Sequence, residues 1–304
     1  VTKTHALTNR IFRGSQAIRR GQLTHGQLRG PDWQRLFRDV YADRALAPTH
    51  RLRCVAASRF LLPSGAAIAG RSAAHLFGVP YVGAEDPVEV LTPRHFGPVH
   101  GLKIRRGALP ASETVRDGRL VVTSPLRTAW DLARWLDLAE AMVFLDVLAA
   151  KRHISGASLV AYASSMQTPR GRARAIRAAE LIEPGSESPQ ESKLRMRLVL
   201  SGVPRPVVQH IITRDGEFVA PVDLAWPESM IALEYDGAWH GQPSQIEHDR
   251  QRLNRLLGAD WLVFHVTARQ MREELPDIAA QIKAAIRARQ GTHEVASTRR
   301  KRGN

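Results

Sequence analysis

The sequence predicts an α/β (α+β) protein with more than one domain. Three observations predict it. Residues 10–45 read as helix, turn, helix, strand; residues 46–164 alternate apolar helical runs with short β-branched runs; residues 186–280 read as helix, three strands, helix, strand. A length of 304 residues suffices for two or three domains, and 43% hydrophobic with 24% charged residues is the composition of a globular chain.

The elements follow in order. In "SQAIRRGQLTHGQLRG" two short helices flank a turn, and Thr24 is the expected cap of the second. "DWQRLFRDVYADR" alternates Trp33, Phe37 and Tyr41 with charged residues, as a half-buried strand does. Helix, turn, helix and strand over residues 1–45 describe a small winged helix-turn-helix, which would place its second helix in a DNA major groove. Residues 46–164 begin with two helices broken at Pro63-Ser64-Gly65, then the strands "PVEVLTPR" and "GLKIRRGAL". The helices of "VVTSPLRTAWDLARWLDLAEAMVFLDVLAA" follow, with Thr123 or Ser124 as cap, Pro125 in the first turn, and Trp130, Ala133, Leu136 and Leu138 as core face. The spacing of His75, His95 and His100 fits no metal-ligand pattern, so these are read as structural or surface residues. Residues 165–185 form a basic helix and a linker broken at Pro184-Gly185, and residues 281–304 are expected as a disordered basic tail.

Within residues 186–280, "SPQESKLRMRLVLSGVP" reads as a helix from Ser188-Pro189 to Gly202, with Glu191 on the stripe of Leu194 and Leu198. "PVVQHIIT" and "FVAPVDLAW" are two strands joined at the hairpin signal Asp215-Gly216, and "MIALEYDG" is a third strand between Pro227 and Gly237. "SQIEHDRQRLNRLLG" is a helix capped by Ser244, and "DWLVFHVT" is a fourth strand.

"VDLAWPESMIALEYDGAWH" sets Asp223, Glu234, Asp236 and His240 in an apolar, strand-like context. Glu234 and Asp236 are two apart and share a strand face. Buried carboxylates that converge repel one another unless a cation sits between them. Oxygen donors suit a hard divalent ion, Mg²⁺ or Mn²⁺, rather than zinc. The expected metal set is Glu191, Asp223, Glu234 and Asp236. Asp236-Gly237 also reads as a turn, and Trp226 and Trp239 as core or rim.

The net charge of +15 points to a polyanion, nucleic acid first. Its distribution is uneven: residues 1–180 carry 27 Lys+Arg against 13 Asp+Glu, residues 181–280 carry 10 against 15, and residues 281–304 carry 7 against 1. The carboxylate cluster therefore lies in the one acidic segment. The single cysteine, Cys54, excludes an internal disulfide and a cysteine-built zinc cage, and fits a reducing cytoplasm. No signal core is read at the start, no run of about 18 apolar residues occurs, and a membrane partner is not expected.

"SPQESKLRMRL", "PVDLAWPESMIALEYDGAWH" and "DRQRLNRLLGADWLVFHVT", covering about residues 186–275, resemble the very-short-patch-repair-like branch of the PD-(D/E)XK nuclease superfamily. Residues 10–160, with "VTSPLRTAWDLA", resemble the AbiEi-type antitoxin arrangement of a winged helix-turn-helix and an α/β region. The resemblance implies a restriction-endonuclease-like αβββαβ core. It makes Asp223 the motif aspartate, Glu234 its acidic partner and Glu191 the helix glutamate. His240 matches a histidine of this branch that acts as general base or orients water. The superfamily's lysine falls two residues after the second acid, where this chain has Asp236; Lys193 is the weaker stand-in. Arg250 and Arg252 are candidate phosphate contacts, with ion pairs to Glu247 and Asp249 as the alternative.

The implied activity is metal-dependent endonucleolytic cleavage of DNA. The alternative is a non-catalytic, antitoxin-like DNA-binding repressor on a degenerate nuclease fold. DNA is the expected partner; a second copy of the chain and a toxin protein are the further candidates.

Overall fold

The computed structural model describes residues 5–166, 169–237 and 258–302. The chain is mixed α/β and divides into two compact units, one of Val1–Leu136 with Lys151–Glu180 and one of Asp137–Ala150 with Leu181–Asn304.

The first unit opens with β1 (Ile11–Arg13), α1 (Gly14–Arg19), α2 (His25–Leu28), β2 (Trp33–Phe37) and β3 (Val40–Asp43). The three strands form an antiparallel sheet in the order β1-β3-β2. Thr24 caps α2 in a reciprocal capping box with Gln27. Phe12, Ala17, Leu23, Leu28 and Trp33 form a small core beneath the helices. The segment expected as one strand is two. Arg38 and Asp39 make the turn, Asp39 taking a φ of +60, and its carboxylate accepts from Ser15 N (2.7 Å) and Oγ (2.6 Å), tying the turn to the start of α1. Aspartate tolerates the left-handed region, so the hairpin needs no glycine.

The same unit continues with α3 (His50–Phe60), β4 (Ala67–Ile68), α4 (Gly70–Leu76), β5 (Val88–Thr92), β6 (Leu102–Arg106), β7 (Thr114–Asp117), β8 (Leu120–Thr123) and α5 (Pro125–Trp135). Ser124 caps α5, accepting from Arg127 N, with Pro125 at the first turn. The strands form a five-stranded sheet in the order β6-β5-β4-β8-β7. Its buried residues Ile68, Val88, Val90 and Val122 pack with Cys54, Ala56 and Ala57 of α3. After the excursion into the second unit, α7 (Gly156–Ser165) and α8 (Arg172–Glu180) complete the first.

The second unit does not follow chain order. Its first helix, α6 (Leu138–Ala150), packs on α9 (Pro189–Leu200). Buried Asp146 accepts from Arg195 Nη2 (2.8 Å), Ser192 Oγ (2.7 Å) and Glu183 N (2.8 Å). Four strands follow: β9 (Val207–Arg214), β10 (Glu217–Trp226), β11 (Ile231–Asp236) and β12 (Leu262–Thr267), in the sheet order β12-β11-β10-β9. β9, β10 and β11 are antiparallel neighbours, whereas β12 runs parallel to β11. Asp215 (φ +53) and Gly216 (φ +86) close the β9–β10 hairpin as a two-residue turn.

Two helices close the unit, α10 (Ala268–Glu273) and α11 (Leu275–Arg302). The expected disordered tail at 281–304 is thereby corrected: α11 runs through it to Arg302. Ile278, Ile282 and Ile286, spaced four apart, form one buried stripe, packed with Leu194, Leu198, Leu233 and Val266. No helix among the described residues is long and apolar enough to cross a membrane.

Candidate functional site

Asp223 lies where the sheet ladder opens on both sides. Pairing of β10 with β11 runs Trp226↔Ile231, Ala225↔Ala232 and Leu224↔Leu233, and stops there. One step further in this register, Asp223 stands opposite Glu234. Tyr235 N donates to Asp223 Oδ2 at 2.8 Å. On the β9 side, Leu224 pairs with Val208 and Val222 with His210, leaving Gln209 across from Asp223. Gln209 takes a φ of +47, a left-handed conformation that costs a residue with a Cβ. Strain of this kind persists where the surroundings impose it, and here it stands beside an in-strand carboxylate.

Directly opposite residues of antiparallel strands, and residues two apart on one strand, share a sheet face. Glu234 and Asp236, two apart on β11, therefore project together, and Asp223 meets their strand through the Tyr235 N–H. Strand alternation turns them away from Leu224 and Leu233, which pack with Leu194 and Leu198 of α9. Glu234 is 8% exposed, a costly position for a carboxylate. His265 on β12 is its register partner. The His265 Nδ1 lies 3.7 Å from Glu234 Oε2 and 3.6 Å from Asp236 Oδ1, so one imidazole faces two carboxylates.

Glu191 has hydrogen-bond partners of its own. Its Oε2 accepts from Glu187 N and from Gln209 Nε2, each at 3.0 Å, and its own N–H donates to the Ser188 cap at 3.1 Å. Gln209 thus connects the helix glutamate to the strand position facing Asp223. Lys193 is engaged elsewhere, 2.7 Å from Glu140, and does not stand in for the lysine that Asp236 displaces. His240, Arg250, Arg252 and most of the helix expected around them lie outside the described residues. Among the described residues, no three His, Cys, Asp or Glu side chains lie close enough together to hold a metal ion.

Sequence reading missed His265 and Gln209. The one signal for His265 was a polar residue inside the apolar run "WLVFHVT". Gln209 carried no signal, because its importance lies in its backbone conformation and its place in the register.

A second surface is positively charged. Arg19 and Arg20 at the end of α1, Arg29 after α2, and Arg35 and Arg38 on the β2–β3 hairpin are all exposed. None forms an ion pair with a carboxylate among the described residues.

No family model matches the chain, and no solved structure matches it. Two uncharacterized proteins of Mycobacterium tuberculosis, one from each of two strains, are 30% identical to it over 169 residues, which is 54% of this chain and 61% of each relative. The chain thus spans about six-tenths of the length of the curated relatives it matches.

Proposed function

We propose that the second unit is a metal-dependent endonuclease domain acting on DNA, and that the exposed arginines of the first unit's helices and hairpin hold the nucleic acid. The observation that carries this reading is the hydrogen bond from Tyr235 N to the Asp223 carboxylate at the point where the β10–β11 ladder ends, which sets Asp223 against the strand that carries Glu234 and Asp236, beside the strained Gln209. Functional carboxylates need such a place: fixed by the sheet, yet released from its hydrogen bonds.

Asp223 and Glu234 are the oxygen donors that would hold Mg²⁺ or Mn²⁺, with Asp236 beside them. The donor chemistry fits a hard ion, although the described side chains do not by themselves close a cage. The chemistry such an ion supplies is polarisation of the phosphodiester and activation of water. The chain's own contributions are distinct. Tyr235 N–H fixes the Asp223 carboxylate, and His265, when protonated, opposes the mutual repulsion of Glu234 and Asp236. Glu191, the helix glutamate of the resemblance, is the further oxygen donor of this reading, and Gln209 Nε2 donates to its carboxylate. His240 is assigned, by the resemblance alone, to orienting water.

A second reading is favoured by one observation. The lysine position holds Asp236, and the nearest candidate replacement, Lys193, is paired with Glu140. That describes a non-catalytic DNA-binding regulator, and a toxin partner belongs to this reading. Incubating the protein with duplex DNA in Mg²⁺, Mn²⁺ and EDTA separates the two. Metal-dependent cleavage supports the nuclease; tight EDTA-resistant binding without cleavage supports the regulator.

A further inference from the structure

The parallel pair β5–β6 of the first unit ends in a cleft of about 350 Å³. That volume lies in the range of small-ligand clefts, roughly 300–1,000 Å³. Leu102, Ile104 and Arg106 alternate along β6 and so share a face. The first two line the cleft as apolar floor, and the third stands at its rim. Phe96, half-buried, adds an aromatic surface, and Arg94 and His95 complete the rim from the loop after β5. That loop is anchored: Arg94 N donates to the Thr92 hydroxyl at 3.2 Å, and Thr92 is the register partner of Arg106.

Three cations near β5 and β6 are already engaged. Arg71 and Lys103 lie 2.9 and 3.2 Å from buried Glu89, and Arg105 stacks on Trp135 with its guanidinium carbon 4.4 Å from the ring centroid. Arg94 and Arg106 are exposed and meet no carboxylate among the described residues. Two guanidiniums and an imidazole around an apolar, aromatic-lined floor fit a ligand with a doubly charged anionic group and a flat, weakly polar body. Guanidinium forks match phosphate oxygens. A nucleobase stacks on an aromatic side chain and tolerates an apolar surface beneath it. Inorganic phosphate would leave the floor unused.

We propose that this cleft binds one phosphorylated nucleotide, with the phosphate on Arg94 and Arg106 and the base on Phe96 above Leu102 and Ile104. The nucleotide is either free in solution or the 5′-phosphorylated end of an unpaired DNA strand; both present a phosphomonoester beside a base. The inference is independent of the carboxylate site in the second unit.

The test is titration of the full chain, in EDTA, with thymidine 5′-monophosphate, with a short 5′-phosphorylated single-stranded oligonucleotide, and with inorganic phosphate. Three variants accompany the wild type: the pair Arg94→Ala/Arg106→Ala, Phe96→Ala, and the pair Arg116→Ala/Arg119→Ala. The last removes the same charge from an exposed hairpin outside the cleft. Thermal melts confirm that each variant is folded. The expected result is saturable binding of the monophosphate or the oligonucleotide, weakened roughly tenfold or more by the cleft arginine pair. Phe96→Ala weakens it too, and the hairpin pair leaves it unchanged. Binding of the monophosphate identifies a free nucleotide; binding of the oligonucleotide alone identifies an unpaired strand. Absence of saturable binding to both, equal loss in the hairpin pair, or inorganic phosphate binding as tightly as the nucleotide overturns the proposal.

Discussion

His265 and Glu234 are register partners on parallel strands, with the imidazole Nδ1 3.7 Å from Glu234 Oε2 and 3.6 Å from Asp236 Oδ1. When the imidazole carries its second proton, it offsets two carboxylates that share one strand face. Because His265 and Asp236 are each about 40% exposed, water screens much of the interaction. His265→Ala is therefore expected to cost at most about 1 kcal/mol of stability, while lowering any metal-dependent cleavage far more. Urea unfolding and a nicking assay on the same preparation check the two halves; a large loss of stability with unchanged cleavage would make His265 structural only.

Asp146 and Arg195 form a second carboxylate–cation pair, with a different role. Their side chains are 1% and 0% exposed, 2.8 Å apart, and bonded further to Ser192 and to the Leu181 carbonyl. Removing one partner leaves a buried charge uncompensated. Asp146→Asn or Arg195→Met is expected to destabilise the second unit by about 3–5 kcal/mol. The double variant should cost less than the sum of the two, read from urea midpoints followed by circular dichroism.

Stability against pH should reveal two opposed titrations in the first unit. Burial, with His75 beside it, drives the His50 imidazole down from 6.5 to about 4. The unfolded chain then binds a proton that the folded one refuses, so this contribution is present above about pH 6.5 and lost as pH falls through 4. Burial pushes the Asp131 carboxyl up from 3.8 to about 6, against the pull of Arg127. Its contribution is present below 3.8 and lost as pH rises through about 6. Each is worth roughly 3 kcal/mol at most. The two offset one another in the wild type. His50→Gln should make stability fall from pH 4 to 6, and Asp131→Asn should make it rise from pH 4 to 6.5; melting temperatures at four pH values suffice. The same sign of slope in both variants would refute the assignment.

Gly70 is a position where only glycine fits. Its φ is +53, and a Cβ there would overlap Glu89 Oε2 and come within 2.9 Å of Trp135. Glu89 in turn accepts from Arg71 N at 3.0 Å, satisfying the start of α4. Gly70→Ala is expected to cost more than about 2 kcal/mol, from left-handed strain plus displacement of that carboxylate. A thermal melt within a few degrees of wild type would contradict this.

The features legible in the sequence were local ones. Thr24 caps the helix it was expected to cap, Ser124 is the one of the pair Thr123 or Ser124 that caps α5, and α9 starts at Ser188-Pro189 as read, because a capping side chain bonds a backbone only three residues on. The Asp215-Gly216 turn was readable for the same reason. The β2–β3 turn was missed because Arg38-Asp39 carries no glycine or proline to mark it. The helical stripe of Ile278, Ile282 and Ile286 was hidden by the charged residues beyond it. The candidate site divided along the same line. Glu234 and Asp236 could be placed on one face from spacing alone. The partnership of Glu234 with His265 spans 31 positions (265 − 234) and follows from strand register, which no local pattern encodes. The assignment of α6 to the second unit likewise rests on a buried pair separated by 49 positions.

The most direct test of the central claim is nicking of supercoiled plasmid by the wild type and by the isosteric double variant Asp223→Asn, Glu234→Gln, in Mg²⁺, in Mn²⁺ and in EDTA. The account predicts metal-dependent nicking by the wild type, none in EDTA, and a loss of at least about a hundredfold in a variant that melts like the wild type. Equal nicking by the variant, or none by the wild type in either metal, would contradict it.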